Sequence, residues 1–246
     1  MPRHSNRFAA STLLTLLTLL TAAARCLAAE SPANLPAGYK LLYEQKCDRD
    51  SALKDFVMTD PRAWRFSKED KGSGLELFQQ SHYEPAVRSP INIALVADKI
   101  FGDFVLEAEL LSTKEPYGHQ DMCLFFGVQN PTNFYYTHLA VAADPHAHNI
   151  FIVNHAPRLA IAKETTKGIV WGLNQWHHVK LERKLGDGSI KVYFDDMTRP
   201  IMLAEDKTFG AGCIGVGSFD DVGKARNIRI WGPSVEAKKT GFFGRP

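Results

Sequence analysis

The sequence predicts an all-β chain, folded as a two-sheet antiparallel sandwich. Apolar and polar residues alternate with period two over many short runs, the spacing of half-buried strands. Turn signals recur between those runs, including Asn130-Pro131, Asp144-Pro145, Ala156-Pro157 and Gly186-Asp187-Gly188; each punctuates a strand. No segment carries a long, capped helical periodicity. Many short strands at regular spacing are the mark of a β-sandwich.

Residues 1–29 read as a signal peptide. Arg3 and Arg7 form a positive start, Phe8 to Ala24 is apolar, and Ala28-Ala29 offers cleavage before Glu30; this is the anatomy of a secretory signal. Arg25 interrupts the run before the roughly 20 residues a membrane helix needs, so no stable membrane span is expected after cleavage. The expected location is secreted or periplasmic. Removing Arg3, Arg7 and Arg25 takes the 29 Lys+Arg to 26 against 27 Asp+Glu, near −1. No basic surface for nucleic acid follows from that balance.

Residues 30–38, rich in proline and glycine, read as an extended leader, and 39–233 as one domain. A strand begins after Gly72-Ser73-Gly74 and includes Leu75, Glu76 and Leu77. Asp103 to Leu111 sets Phe104, Leu106, Ala108 and Leu110 on one face, and Val105, Glu107, Glu109 and Leu111 on the other. Met122 to Val128 is nearly all apolar, as in a strand buried on both faces. Strands are expected at 134–143, 149–154, 158–162, 176–183, 189–194, 212–219 and 225–231. Trp176, Val192, Phe194, Ile214, Val216 and Trp231 are expected in or near the core. The alternation is lost at 234–246, read as a loose tail. After cleavage Cys47, Cys123 and Cys213 remain. One disulfide and one free thiol are available among them, while Cys123 and Cys213 sit in apolar runs as buried thiols would.

The C-terminal half resembles a known family. Trp176-His-His-Val-Lys-Leu-Glu-Arg183, then Gly188-Ser-Ile-Lys-Val-Tyr-Phe-Asp-Asp196, is similar to the concanavalin A-like jelly roll of laminin-G-like modules. Gly212 to Phe219 and Ala225 to Trp231 follow in the same order. Upstream, Phe101-Gly-Asp-Phe-Val-Leu-Glu-Ala-Glu109 looks like the early strand of bacterial 3-keto-disaccharide hydrolase-type domains. The resemblance covers roughly residues 75–231 and implies a jelly-roll fold. It does not carry the activity, because one fold hosts enzymes and binding modules alike. That bacterial family carries an Asn-Ser-Gly segment where this chain reads Asp121-Met-Cys-Leu-Phe-Phe-Gly127, so its ligand contacts do not transfer.

Chemistry concentrates between Tyr117 and Arg158, which hold His119, His138, His146, His148 and His155, five of the nine histidines. Imidazole titrates near neutral pH and is the commonest metal ligand. Tyr136 and His138 share a strand face, as do His119 and Asp121. His146 and His148, two residues apart, would share a face on a strand. The expected catalytic set is therefore His138, His148, Tyr136 and Asp121. His119, His146, Asn149, Asn154, Arg158 and Arg88 are the expected substrate-binding residues. If a divalent metal is bound, His146, His148 and Asp144 would hold it. The prediction is that His119, Asp121, His138, His146, His148, Asn154 and Arg158 converge on one solvent-accessible groove.

Other features read as structure. His177-His178 belong to the framework, Asp195-Asp196 to a polar turn, and Glu107 with Glu109, about 7 Å apart on one face, to surface charge. Serine-hydrolase, zincin and phosphate-loop motifs are absent. The leading function is an exported carbohydrate-active protein cleaving a glycan, as hydrolase or lyase. A histidine or tyrosine would move the proton, and Arg158 would neutralise an anionic group. The alternative is a non-catalytic, lectin-like glycan-binding module, and a third class is an adhesion or scaffold domain.

Overall fold

The structure is a computed structural model that describes residues 1, 32, 35–68 and 73–245. The expected signal peptide and its cleavage site lie outside the described residues. The unit Leu35–Pro246 is a sandwich of antiparallel sheets. Its strands are β1 (Lys40–Gln45), β2 (Phe56–Met58), β3 (Trp64–Ser67), β4 (Gly74–Leu77), β5 (Asn92–Val96), β6 (Lys99–Phe101), β7 (Phe104–Ser112), β8 (Asp121–Asn130) and β9 (Asn133–Ala140). They continue as β10 (Asn149–Asn154), β11 (Leu159–Ala160), β12 (Glu164–Thr165), β13 (His177–Arg183), β14 (Ser189–Phe194), β15 (Met202–Glu205), β16 (Cys213–Ser218), β17 (Gly223–Gly232) and β18 (Val235–Ala237). Among the described residues one sheet runs β12-β15-β14-β13-β7-β17-β4-β3, with β1 also on β17, and the other runs β11-β10-β9-β8-β16-β5-β2. This is the expected jelly-roll sandwich.

Alternation places the residues. Phe104, Leu106, Ala108 and Leu110 face the inter-sheet core, where they meet Leu124, Phe126, Tyr135, Leu139, Ile150 and Val216 from the other sheet. The 186–188 hairpin forms because Gly188 takes φ +79°, where a Cβ would also press on Asp206 and Lys207; only glycine enters that region cheaply. In β16, a Cβ on Gly217 would lie 1.9 Å from the carbonyl oxygen of Asn92, so this position sets how closely β16 approaches β5.

The seven-stranded sheet is apolar on its outer face as well. Val57, Ile93, Leu95, Cys123, Phe125, Phe134, Tyr136, Phe151 and Val153 form a second cluster there, against which Val87, Phe219, Phe242 and Phe243 pack. This double burial explains the apolar run in β8. It also corrects one expectation. The C-terminal residues are not a loose tail: β18 pairs with β6, Gly244 bridges Met58, and Tyr83 meets the ring of Phe243 edge-on at 5.8 Å. Two phenylalanines covering an apolar sheet face hold the segment down although it lacks alternation. Trp176 is half-buried under the Arg226 guanidinium at 4.1 Å rather than in the core. Trp171 fills that role instead, donating from Nε1 to the Leu139 carbonyl. The three cysteines are free and buried.

Candidate functional site

The outer face of the seven-stranded sheet gathers part of the expected constellation. Register sets His138 opposite Cys123 on β8 and opposite Asn149 on β10, and Tyr136 opposite Phe125 and Phe151. Asp121 sits one step further along β8, on the same face. Its Oδ2 accepts the Phe219 N–H at 2.8 Å and the Cys123 thiol at 3.1 Å, with His138 Nε2 at 3.8 Å. The His148 N–H donates to His138 Nδ1 at 3.4 Å, which leaves the imidazole proton on Nε2.

Burial dominates the electrostatics. Asp121 is 0 % exposed, and desolvation raises its pKa to about 8 against the opposing hydrogen bonds from Phe219 and Cys123. His138 is 3 % exposed; desolvation first, then the charge of Arg158, lowers it to about 3. Acid and imidazole therefore face each other neutral, as buried groups without a full complement of partners do. The rings of Tyr136, Phe151 and Phe219 surround His138 at 6.0–6.4 Å. Arg158 lies over Phe219, its guanidinium carbon 3.8 Å from the ring centroid, and its Nη2 donates to the His146 carbonyl at 2.9 Å. The segment 79–91 completes the cover: Val87 packs on the outer cluster and the exposed Arg88 accepts the Arg158 N–H at its carbonyl.

The remaining expected residues go elsewhere, and the single accessible groove does not form. His148 is buried and has φ +48°, which breaks strand alternation at that point. Its Nε2 pairs with Thr166 Oγ1 at 2.9 Å and its Nδ1 accepts the Ala140 N–H, so its ring turns to the segment that continues β12. Burial depresses its pKa to about 4. His146 is exposed on the tight turn closed by the Asp144–Ala147 bridge. Asp144 instead binds His119 Nε2 at 2.6 Å. The proposed metal set His146, His148 and Asp144 is thus dispersed, and among the described residues no group of three His, Cys, Asp or Glu could hold a metal ion. Asn154 accepts from Asn133 at the far end of the β9–β10 hairpin, and Asn149 accepts the Ala162 N–H; both serve structure. Glu107 and Glu109 face His178 and Arg226, and His177 is clamped between Asp195 and the Trp171 carbonyl.

An open cup lies beside the covered cluster, lined by Gln80, Lys114, Tyr117, Asp220 and Asp221, with a volume near 340 Å³. Tyr117 is 41 % exposed. Its hydroxyl donates to Asp221 Oδ2 at 2.8 Å, and the same oxygen accepts the Asp121 N–H at 3.0 Å. Lys114 Nζ is 3.9 Å from Asp221 Oδ1, and Gln80 Nε2 donates to the Asp220 carbonyl. Burial raises the pKa of Asp221. Sequence reasoning missed this cup because its residues come from three connections, where no periodicity marks a face. The adjacent acids Asp220-Asp221 directly after a buried strand were the available signal.

No family model matches the chain, and no curated protein matches it. Solved structures do. A carbohydrate-binding module, CBM66 from Bacillus subtilis, aligns with TM-score 0.51 at 18% identity over 74% of this chain and 96% of its own. A Bacillus subtilis protein of unknown function with a galectin-like fold gives 0.52 at 15% over 82% and 100%. Winged bean acidic lectin, complexed with methyl-α-D-galactose, gives 0.51 at 10% over 82% and 100%. The likeness is one of fold: the chain is a concanavalin A-like jelly roll of the kind seen in lectins and carbohydrate-binding modules.

Proposed function

We propose that this protein is a non-catalytic glycan-binding module, exported after cleavage before Glu30. The observation that carries the reading is the contrast between two neighbouring clusters. The groups that would do proton chemistry, Asp121, His138 and Tyr136, are sealed beneath Phe219, Arg158 and the 79–91 segment. A general acid or base must come within hydrogen-bond reach of its substrate, and Asp121 and His138, the acid and the imidazole, do not. The Tyr117 cup, by contrast, is open and holds what a sugar ring needs. It offers an aromatic face for the C–H side, carboxylates and an amide for hydroxyl groups, and an ammonium. Carbohydrate recognition by proteins of this fold supports the reading.

Passing the purified protein over immobilised polysaccharides and assaying the same mixtures for products tests it. The expected result is retention on at least one glycan with neither new reducing ends nor unsaturated sugars. Catalytic turnover of a retained glycan would restore the hydrolase or lyase reading.

A further inference from the structure

Five buried side-chain nitrogen or oxygen atoms among the described residues lack a hydrogen-bond partner, and four fall in one place: Asp121 Oδ1, Tyr136 Oη, Arg158 Nε and Arg158 Nη1. Buried polar atoms are nearly always paired, and leaving one unpaired costs about 1–3 kcal/mol. Four together on one face of one sheet are an organised feature rather than scattered defects.

All four present hydrogens. The Arg158 nitrogens can only donate. Tyr136 is held in its phenol form by burial. Oδ2 of Asp121 already accepts from Phe219 and Cys123, so in the neutral acid the proton belongs on Oδ1. Among the described residues no carboxylate stands within ion-pair distance of Arg158; it meets the His146 carbonyl and the rings of Phe219 and Phe151, and its guanidinium lies against the Tyr136 hydroxyl oxygen, which leaves the phenol hydrogen to donate. The cluster is therefore rich in donors, poor in acceptors and carries one uncompensated positive charge. Its complement is an anion with several acceptor lone pairs.

We propose that Arg158 and Tyr136 form a recessed receptor for the carboxylate of an acidic sugar, reached when Phe219 moves off the guanidinium. The proposal rests on the glycan-binding reading and names its ligand class, a uronate-bearing glycan. Phe219 is only half-buried and belongs to the turn after β16, whose next residues, Asp220 and Asp221, line the open cup. A chain seated in the cup thus abuts the gate. No covalent step is involved: the carboxylate accepts from Arg158 Nε and Nη1 and from the Tyr136 hydroxyl.

The test uses full-length mature protein with polygalacturonate, its methyl ester and a neutral glucan as probes, read by calorimetry. Binding to polygalacturonate that weakens at least tenfold on methyl esterification is expected for the wild type alone. Arg158→Lys keeps the charge but loses donors, and should weaken polygalacturonate binding about tenfold. Tyr136→Phe keeps the ring and removes one buried hydroxyl, so the variant should still unfold cooperatively as a folded chain while binding polygalacturonate several-fold more weakly. A merely structural hydroxyl would leave affinity alone. Equal affinity for the ester, or unaltered uronate binding in both folded variants, overturns this proposal while leaving glycan binding intact. Failure to bind any of a full panel of neutral and acidic glycans overturns both.

Discussion

At the scale of residues, three buried titrating groups pull in opposite directions as pH changes. His138 and His148 have pKa values lowered from 6.5 to about 3 and about 4. Their contribution to stability is present above pH 6.5 and is lost as pH falls through those values. Asp121 is raised from 3.8 to about 8, so its contribution is present below 3.8 and is lost as pH rises to 8. Between about pH 4 and 6.5 the unfolded chain binds two more protons at the histidines and one fewer at Asp121, so stability rises with pH. From 6.5 to 8, of these three groups only Asp121 differs, and its contribution to stability falls. Urea denaturation across pH 4–9 should therefore peak near pH 6.5, and Asp121→Asn should flatten the alkaline fall. A peak unmoved and a fall unchanged in that variant would mean Asp121 is ionised in the folded state. The faces of Tyr136 and His138 were legible, because period two fixes a face once the strand is known. Their cover was not: Phe219 arrives from about eighty residues downstream, and alternation says nothing about what lies on top of a face.

At the scale of elements, long alternating runs declared themselves and short ones did not. β7, β13, β14 and β17 were read close to their observed limits. β2, β6, β12 and β18 span two or three residues each, too few for a period to register. His146 and His148 failed for a related reason: two residues apart share a face only on a strand, and the left-handed backbone at His148 ends that rule. The C-terminal strap is the element whose role follows most directly from packing. Truncation after Ala237 removes Phe242 and Phe243 from the outer cluster and leaves β18 in place. A loss of about 2–4 kcal/mol in unfolding free energy is expected from uncovering two partly buried aromatic rings. A truncated chain with the wild-type denaturation midpoint would show that the strap is not part of the folded unit.

At the scale of the whole molecule, the sandwich differs from a simple two-layer core in having a second apolar layer on the outside of one sheet. That layer covers the outer face of the sheet and leaves the loop-lined cup beside it open. The histidine-rich stretch contributes strands to that sheet, and its Asp121, Tyr136 and His138 are enclosed there. No helix among the described residues is long and apolar enough to cross a membrane.

The most direct test of the account is calorimetric titration of Tyr117→Ala against whichever glycan the wild type retains best. Tyr117 is half exposed and its hydroxyl bonds only Asp221, so the variant should fold with a melting temperature close to the wild type. If the cup is the binding surface, loss of the aromatic face should weaken affinity at least tenfold, roughly 1.4 kcal/mol. A folded variant that binds as tightly as the wild type would contradict the account.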